Sequence, residues 1–122
     1  MLWQRILSDA KRQLEKEPDL EEYLNSIIFS KKSLLGSISS ILSHKLHLEN
    51  FSSQKLEDIL LKVFQSNPII LEDMEKDILF FQSNDPACHS SLTPLIFYKG
   101  FHGLASYRAA NELWKNNGCY FN

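Results

Sequence analysis

Cysteine is scarce in this sequence, and its scarcity excludes a disulfide-stapled or zinc-knuckle protein. Cys88 and Cys119 are the two cysteines among 122 residues. Two are too few for a disulfide framework, and their spacing is not that of a zinc site. We therefore expect reduced thiols and a cytoplasmic location.

Long apolar stretches are also missing. The longest runs, 69–71 and 78–81, fall far short of the roughly 20 residues that cross a bilayer. The N-terminus soon becomes polar and offers neither the apolar core nor the small-residue cleavage site of a secretory signal. The sequence therefore predicts no membrane partner.

An excess of charge of one sign is lacking as well. Thirteen Lys and Arg residues stand against 15 Asp and Glu residues, for a formal net charge of −2. No basic stripe is present that could follow a phosphate backbone. Nucleic acid is therefore not an expected partner.

Glycine and proline, the residues that break helices, occur only four times each. Apolar residues recur at spacings of three and four almost throughout, which is typical of helices. With 43% hydrophobic residues, the chain can bury one ordinary core. We predict one all-α domain over residues 1–122, a bundle of about six helices.

Capping residues and prolines predict where these helices begin and end. The expected landmarks are an end near Lys16, a second helix from Pro18 to about Ser30, caps at Ser33 and at Ser52 or Ser53, and a restart at Asn67-Pro68.

The C-terminal part is predicted to hold a loop over 82–92 and then the longest helix, from Pro94 to Asn116 or Asn117, ended by Gly118. Small residues along this helix would let another helix approach closely. They are Gly100, Gly103, Ala105 and Ala109.

Two histidines are candidate metal ligands. His44 and His47 lie three apart on a predicted helix, a spacing at which two imidazoles can share a metal. A third ligand is missing nearby, and Lys45 disfavours a cation. We expect a solvated helix end and no metal or cofactor.

The remaining polar candidates favour structural interpretations. Cys88-His89 suggests a nucleophile with its base, but sequence neighbours seldom have that geometry, so a loop thiol is expected. His102 is expected to bond a backbone carbonyl. The mixed charges over 72–77 are typical of a solvated helix face.

Asp85 differs because it lies in a predicted turn, precedes Pro86 and is followed closely by a long helix. It could present its carboxylate to a ligand. The alternative is an Asx-turn, in which the carboxylate only accepts from backbone amides two residues on. Residue type and spacing alone favour the Asx-turn.

A string of motifs carries a resemblance to a known family. The motifs are Asn84-Asp85-Pro86-Ala87, Thr93-Pro94-Leu95, Tyr98-Lys99-Gly100-Phe101-His102-Gly103-Leu104, Tyr107-Arg108-Ala109-Ala110 and Leu113-Trp114. Together they resemble the N-terminal domain of bacterial and plant serine acetyltransferases. Weaker similarity includes Trp3, Glu17-Pro18, Leu35-Gly36-Ser37 and Lys45-Leu46, so the resemblance spans nearly the whole chain.

The resemblance implies transfer of an acetyl group from acetyl-CoA to the hydroxyl of L-serine, giving O-acetylserine, the precursor of cysteine. It implies a helical domain that assembles trimers into hexamers, and a C-terminal left-handed β-helix of hexapeptide repeats that binds acetyl-CoA. A histidine of an Asp-His-Ala-Thr-Gly segment would be the general base. Asp85 matches the family aspartate that reaches the substrate serine, or cysteine as feedback inhibitor.

Two departures from the family pattern affect what is expected. Asn84 stands where the family usually has arginine, and Cys119-Tyr120-Phe121-Asn122 follows Gly118 where the family helix continues through Gly-Arg. The second departure suggests a truncated product, an excised domain or a degenerate gene copy.

The printed residues contain neither an Asp-His-Ala-Thr-Gly segment nor hexapeptide repeats. No catalytic or coenzyme-binding residue is therefore assigned, and the chain alone is expected to be inactive. Lys99, His102 and Arg108 are assigned structural roles. The alternative function is a stand-alone helical interaction module that self-associates without catalysis.

Overall fold

The computed structural model describes residues 2–46 and 52–115. Over these residues the chain forms seven α-helices and no strand, which confirms the predicted all-α class. They are α1 (Leu2–Lys16), α2 (Glu21–Leu24), α3 (Leu34–Lys45), α4 (Ser53–Gln65), α5 (Pro68–Asn84), α6 (Leu92–Phe97) and α7 (Lys99–Lys115). None of these described helices is long and apolar enough to cross a membrane.

Several predicted landmarks fall outside the described residues. They are the candidate ligand His47, the helix end at Asn116 or Asn117, the Gly118 cap and Cys119.

The predicted helix starts are confirmed by side-chain caps. The Ser33 hydroxyl accepts from the Gly36 amide at 3.1 Å, and the Ser52 hydroxyl accepts from the Lys55 amide at 3.1 Å. Asn67 caps α5 through its Oδ1, 3.1 Å from the Ile69 amide, and a proline takes the first helical position. Each cap satisfies an amide that has no partner within its own helix.

The second predicted helix has the expected extent but changes geometry along its length. A 3₁₀ turn (Pro18–Leu20) leads into α2, and a π turn (Asn25–Phe29) follows. It buries Leu24, Ile27 and Ile28. Tyr23 of the same segment is 45% exposed.

Helix α3 lies at the centre of the bundle and packs along α4. All ten residues from Leu34 to Ser43 are buried. Two of its hydroxyls are satisfied within the helix, since Ser39 donates to the Leu35 carbonyl and Ser43 to the Ser40 carbonyl, both at 2.8 Å. The surrounding helices complete the core with side chains that are fully buried, among them Ile6, Ala10, Ile28, Val63, Met74, Ile78, Leu95 and Phe101.

The predicted long C-terminal helix is present as α7 (Lys99–Lys115), but its predicted start at Pro94 is wrong. Helix α5 runs on to Asn84, α6 starts at Leu92, and the chain breaks at Tyr98, whose backbone is extended with φ −86° and ψ 110°. The loop is therefore 85–91. Helix propensity near the break is weak, because tyrosine is a middling helix former and a glycine costs about 1 kcal/mol. Contacts from other elements decide the local geometry here.

Small residues of α7 pack closely at some of the predicted positions. A Cβ at Gly100 would meet the Phe81 ring at 3.0 Å, and Ala105 and Ala109 are buried. At Gly103, however, an added Cβ would have no atom within 4 Å. Close packing is thus confirmed at three positions and wrong at Gly103.

The charged run over 72–77 is not wholly a solvated face. Arg108 of α7 donates twice to Asp77 of α5, at 2.9 and 3.0 Å, and lies 3.6 Å from Asp73. The planar guanidinium matches a carboxylate with two parallel hydrogen bonds. This pair links α5 to α7, so Arg108 has the structural role expected for it.

The two α7 glycines provide a matched pair of substitutions. Gly103→Ala is expected to raise the free energy of unfolding by about 0.5–1 kcal/mol, because alanine restricts the unfolded chain and favours the helix. Gly100→Ala should give a smaller gain or a loss, since its methyl crowds Phe81. Urea unfolding of both variants measures this, and equal gains would contradict the described contact.

Candidate functional site

The candidate site lies where α5 ends and α6 meets α7. Asp85 directly follows α5 and has extended backbone geometry, with φ −117° and ψ 106°. The next residue is Pro86, and a proline disfavours helical geometry at the residue before it. Local sequence therefore ends α5 at Asn84 and places Asp85 at the first position of the turn.

The Asp85 carboxylate accepts from two donors. Its Oδ1 lies 3.0 Å from the Ala87 amide, which is the Asx-turn favoured by the residues alone. Its Oδ2 accepts from the Tyr98 hydroxyl. A carboxylate has about four lone-pair sites, and Asp85 is half-buried. The Asx-turn and a ligand contact are therefore compatible.

These contacts favour the ionised form of Asp85. The Tyr98 hydroxyl and then the Ala87 amide lower the pKa of the Asp85 carboxyl, burial opposes them, and His89 adds a further lowering. The hydrogen bond between Asp85 and Tyr98, with a smaller effect from Cys88, raises the pKa of the Tyr98 hydroxyl. Asp85 is thus a fixed negative charge at neutral pH.

Side-chain hydrogen bonds hold the loop 85–91 to two helices, α1 and α5. Ser90 donates to Asp9 of α1 at 2.7 Å, and Ser91 donates to Gln82 of α5 at 2.6 Å. The Asp85 carbonyl accepts from the Cys88 amide at 2.9 Å. These bonds hold the turn in one geometry.

An open depression of about 490 Å³ lies beside this loop. Its lining is polar and includes Arg5, Arg12, Gln82 and His89, but not Asp85. Asp85 does not line this depression, so the depression is not a pocket around its carboxylate.

The Cys88-His89 pair does not form a nucleophile with its base. The Cys88 thiol is buried and donates to the Ser90 carbonyl at 3.3 Å, whereas His89 is exposed. The thiol makes a structural contact within the turn, as expected of a loop thiol.

His44 and His102 each bond a backbone carbonyl. His44 Nδ1 lies 2.7 Å from the Ser40 carbonyl oxygen. Within 2–46 and 52–115, no three side chains of metal-ligating type lie together. His102 is buried, and its Nε2 lies 2.7 Å from the Leu95 carbonyl oxygen, so its predicted structural role is confirmed. The pKa of His102 is lowered, mainly because the ring is buried. The hydrogen bond to the Leu95 carbonyl opposes this shift, and the positive charge of Lys45 adds to it.

Sequence reasoning missed the role of Tyr98. This residue belongs to the motif string, but a continuous helix from Pro94 would have carried its side chain away from Asp85. With the helix broken at Tyr98, the side chains of Tyr98 and Asp85 are in contact. No local sequence motif predicts that break.

The fold and the site define a class of protein, namely an all-α domain that presents a carboxylate from a fixed turn. Residues 2–106 match the family described as "Serine acetyltransferase, N-terminal". The chain therefore belongs to the serine acetyltransferase family and matches its N-terminal domain.

Curated relatives and solved structures agree with this assignment. The serine acetyltransferase of Haemophilus influenzae is 36% identical over 116 residues, which cover 95% of this chain and 43% of the relative. That of Buchnera aphidicola from Acyrthosiphon pisum is 38% identical over 113 residues, covering 93% and 41%. The chain thus spans about two fifths of the length of these relatives.

Among solved structures, soybean serine acetyltransferase complexed with serine has a TM-score of 0.89 at 36% identity, covering 96% of this chain and 48% of that one. A serine acetyltransferase complex with cysteine has a TM-score of 0.90 at 36% identity, with the same coverage. The helical fold is therefore that of the corresponding part of these enzymes.

The lowered pKa of Asp85 predicts a pH-dependent contribution to stability. The folded carboxyl has a lower pKa than the unfolded one, whose usual value is 3.8. The stabilisation that the Asp85 contacts add to the fold is therefore complete above the unfolded pKa, and it is lost as the pH falls through the lower folded pKa. Asp85→Asn should be less stable than the unmodified chain at pH 7, and the difference should shrink below pH about 3.8.

Urea unfolding across pH 2–7 measures this difference, with Asp19→Asn as the control because Asp19 is exposed. A difference between the Asp85 variant and the unmodified chain that stays constant across this pH range would contradict the assigned contacts.

Proposed function

We propose that this chain is the helical N-terminal domain of a serine O-acetyltransferase, in which Asp85 binds the ammonium group of L-serine. L-cysteine would bind the same carboxylate. One observation carries the proposal: the Asp85 carboxylate is half-exposed and is held by two donors in an anchored turn. The fold match to serine acetyltransferases solved with serine and with cysteine supports it.

The chemistry suits this role. A fixed carboxylate pairs with an amino-acid ammonium through charge-assisted hydrogen bonds, and the pairing orients the substrate hydroxyl. The hydroxyl oxygen then attacks the thioester carbonyl of acetyl-CoA, its proton passes to a general base, and CoA leaves as the thiol. In this chain Asp85 binds and orients substrate, while the base and the coenzyme site belong to the catalytic domain that the family resemblance implies.

The chain by itself is expected to be inactive. The experiment joins it to the remainder of the Haemophilus influenzae relative, in place of that enzyme's matched segment, and follows serine-dependent release of CoA thiol. The hybrid should be active, and Asp85→Asn should raise its KM for L-serine by about tenfold or more, because a charged hydrogen-bond partner is lost.

Asp19→Asn in the same hybrid is the control and should leave KM unchanged. An unaltered KM in the Asp85 variant would refute the serine contact, and activity in the isolated chain would refute its dependence on a catalytic domain.

We also propose that the domain supplies a self-association surface. Large apolar side chains lie exposed along one stripe of α7, namely Leu104 at 38%, Tyr107 at 66% and Trp114 at 84%. Aromatic side chains of this size on a surface are typical of interfaces. This stripe also supports the alternative of a helical interaction module without catalysis.

The stripe predicts self-association at high micromolar concentration. Replacing Tyr107 and Trp114 together by serine should shift the chain to monomer, because both aromatic side chains would lose buried contact area. Sedimentation equilibrium measures this. A chain that is strictly monomeric before substitution would contradict an assembly role.

A cytoplasmic location stays a prediction. The relatives from Arabidopsis thaliana include serine acetyltransferases named as mitochondrial and as chloroplastic.

A further inference from the structure

The Asp85 carboxylate is held by a side chain from a different part of the chain. The Tyr98 hydroxyl donates to Oδ2, whereas the Asx-turn occupies only Oδ1. The turn alone leaves the second oxygen without a donor. The Tyr98 contact therefore fixes the direction in which the carboxylate points.

Tyr98 is itself rigidly held. Its ring packs edge-on against Phe81, with centroids 6.1 Å apart and an interplanar angle of 86°. Its amide donates to the Pro94 carbonyl at 3.3 Å, and its carbonyl accepts from the His102 amide at 3.1 Å. The Tyr98 hydroxyl has little freedom to move, because its backbone lies between α6 and α7 and its ring packs against Phe81.

The side chain of Asn84, the residue before Asp85, does not hold the Asp85 carboxylate in place. Asn84 stands where the family resemblance leads one to expect arginine, and its side-chain amide donates to the Phe80 carbonyl at 2.8 Å. The side chain of residue 84 is thus turned back along α5, and the second donor to Asp85 comes from Tyr98.

We propose that Tyr98 is a positioning residue for substrate serine, which fixes the Asp85 carboxylate in one orientation and leaves its free lone pairs for the ammonium group. This proposal rests on the proposed function of Asp85. The other titratable groups that act on this pair are His89, and Cys88 through Tyr98.

The first experiment uses the chain itself and removes only the hydroxyl, with Tyr98→Phe. Carbon-detected NMR titration of the Asp85 carboxyl should show its pKa rising toward the usual carboxyl range, because the largest lowering influence is lost. Tyr23→Phe is the matched control, since Tyr23 lies in α2 and should leave the Asp85 pKa unchanged.

A reciprocal measurement does not depend on the folding of the Tyr98 variant. In Asp85→Asn, the pKa of the Tyr98 hydroxyl should fall toward the usual tyrosine range, since the carboxylate no longer opposes its ionisation. An unchanged Tyr98 pKa in this variant, or an unchanged Asp85 pKa in Tyr98→Phe, would overturn the proposal.

The second experiment uses the hybrid enzyme. Tyr98→Phe should raise KM for L-serine about three- to tenfold with a smaller change in kcat, because one hydrogen bond that orients the binding carboxylate is lost. A general loss of folded enzyme would instead lower kcat and leave KM unchanged.

The two proposals fail in different ways. If Asp85→Asn raises KM and Tyr98→Phe does not, the role of Tyr98 is wrong and that of Asp85 stands. If Asp85→Asn leaves KM unchanged, the proposed function itself is wrong.

Discussion

The burial of α3 from Leu34 to Ser43 is the constraint on which the rest of the bundle depends. A helix surrounded on every side must present small or apolar side chains all round, and its polar groups need partners. Serines meet the first demand because they are short. They meet the second in part, since Ser39 and Ser43 bond carbonyls of their own helix, whereas the buried hydroxyls of Ser37 and Ser40 have no hydrogen-bond partner among the described residues. The short side chains let α4 lie along α3. The outer helices each bury an apolar face in the same core, as α1 does with Leu2, Ile6 and Ala10.

The local signals in the sequence predicted most of the fold. Caps at Ser33, Ser52 and Asn67 and the proline that opens α5 act over three or four residues, so they can be identified without knowing the tertiary structure. The errors arose where distant elements decide. The break at Tyr98 and the ion pair between Arg108 and Asp77 both join segments whose proximity no local pattern reports. A charged run looks the same whether or not an arginine from another helix lies against it.

The candidate site shows the same division. The turn at Asp85 follows from the proline after it, and the family resemblance singled out its carboxylate. The donor to the second oxygen was not predictable, because it depends on where α6 stops. The helix break at Tyr98 and the anchored loop together make Asp85 a charge of fixed direction. A freely rotating aspartate would lose conformational entropy each time it bound a ligand.

The short chain separation between Asp85 and Tyr98 has a consequence for the dynamics of the site. The two residues lie 13 positions apart in the chain, with α6 between them, so the pair closes a small, local unit of low contact order. Because Leu92, Leu95 and Ile96 of α6 are buried in the core, loss of the Asp85–Tyr98 contact would be expected to loosen the packing of α6. Amide exchange in α6 would then report the state of a carboxylate that lies outside that helix.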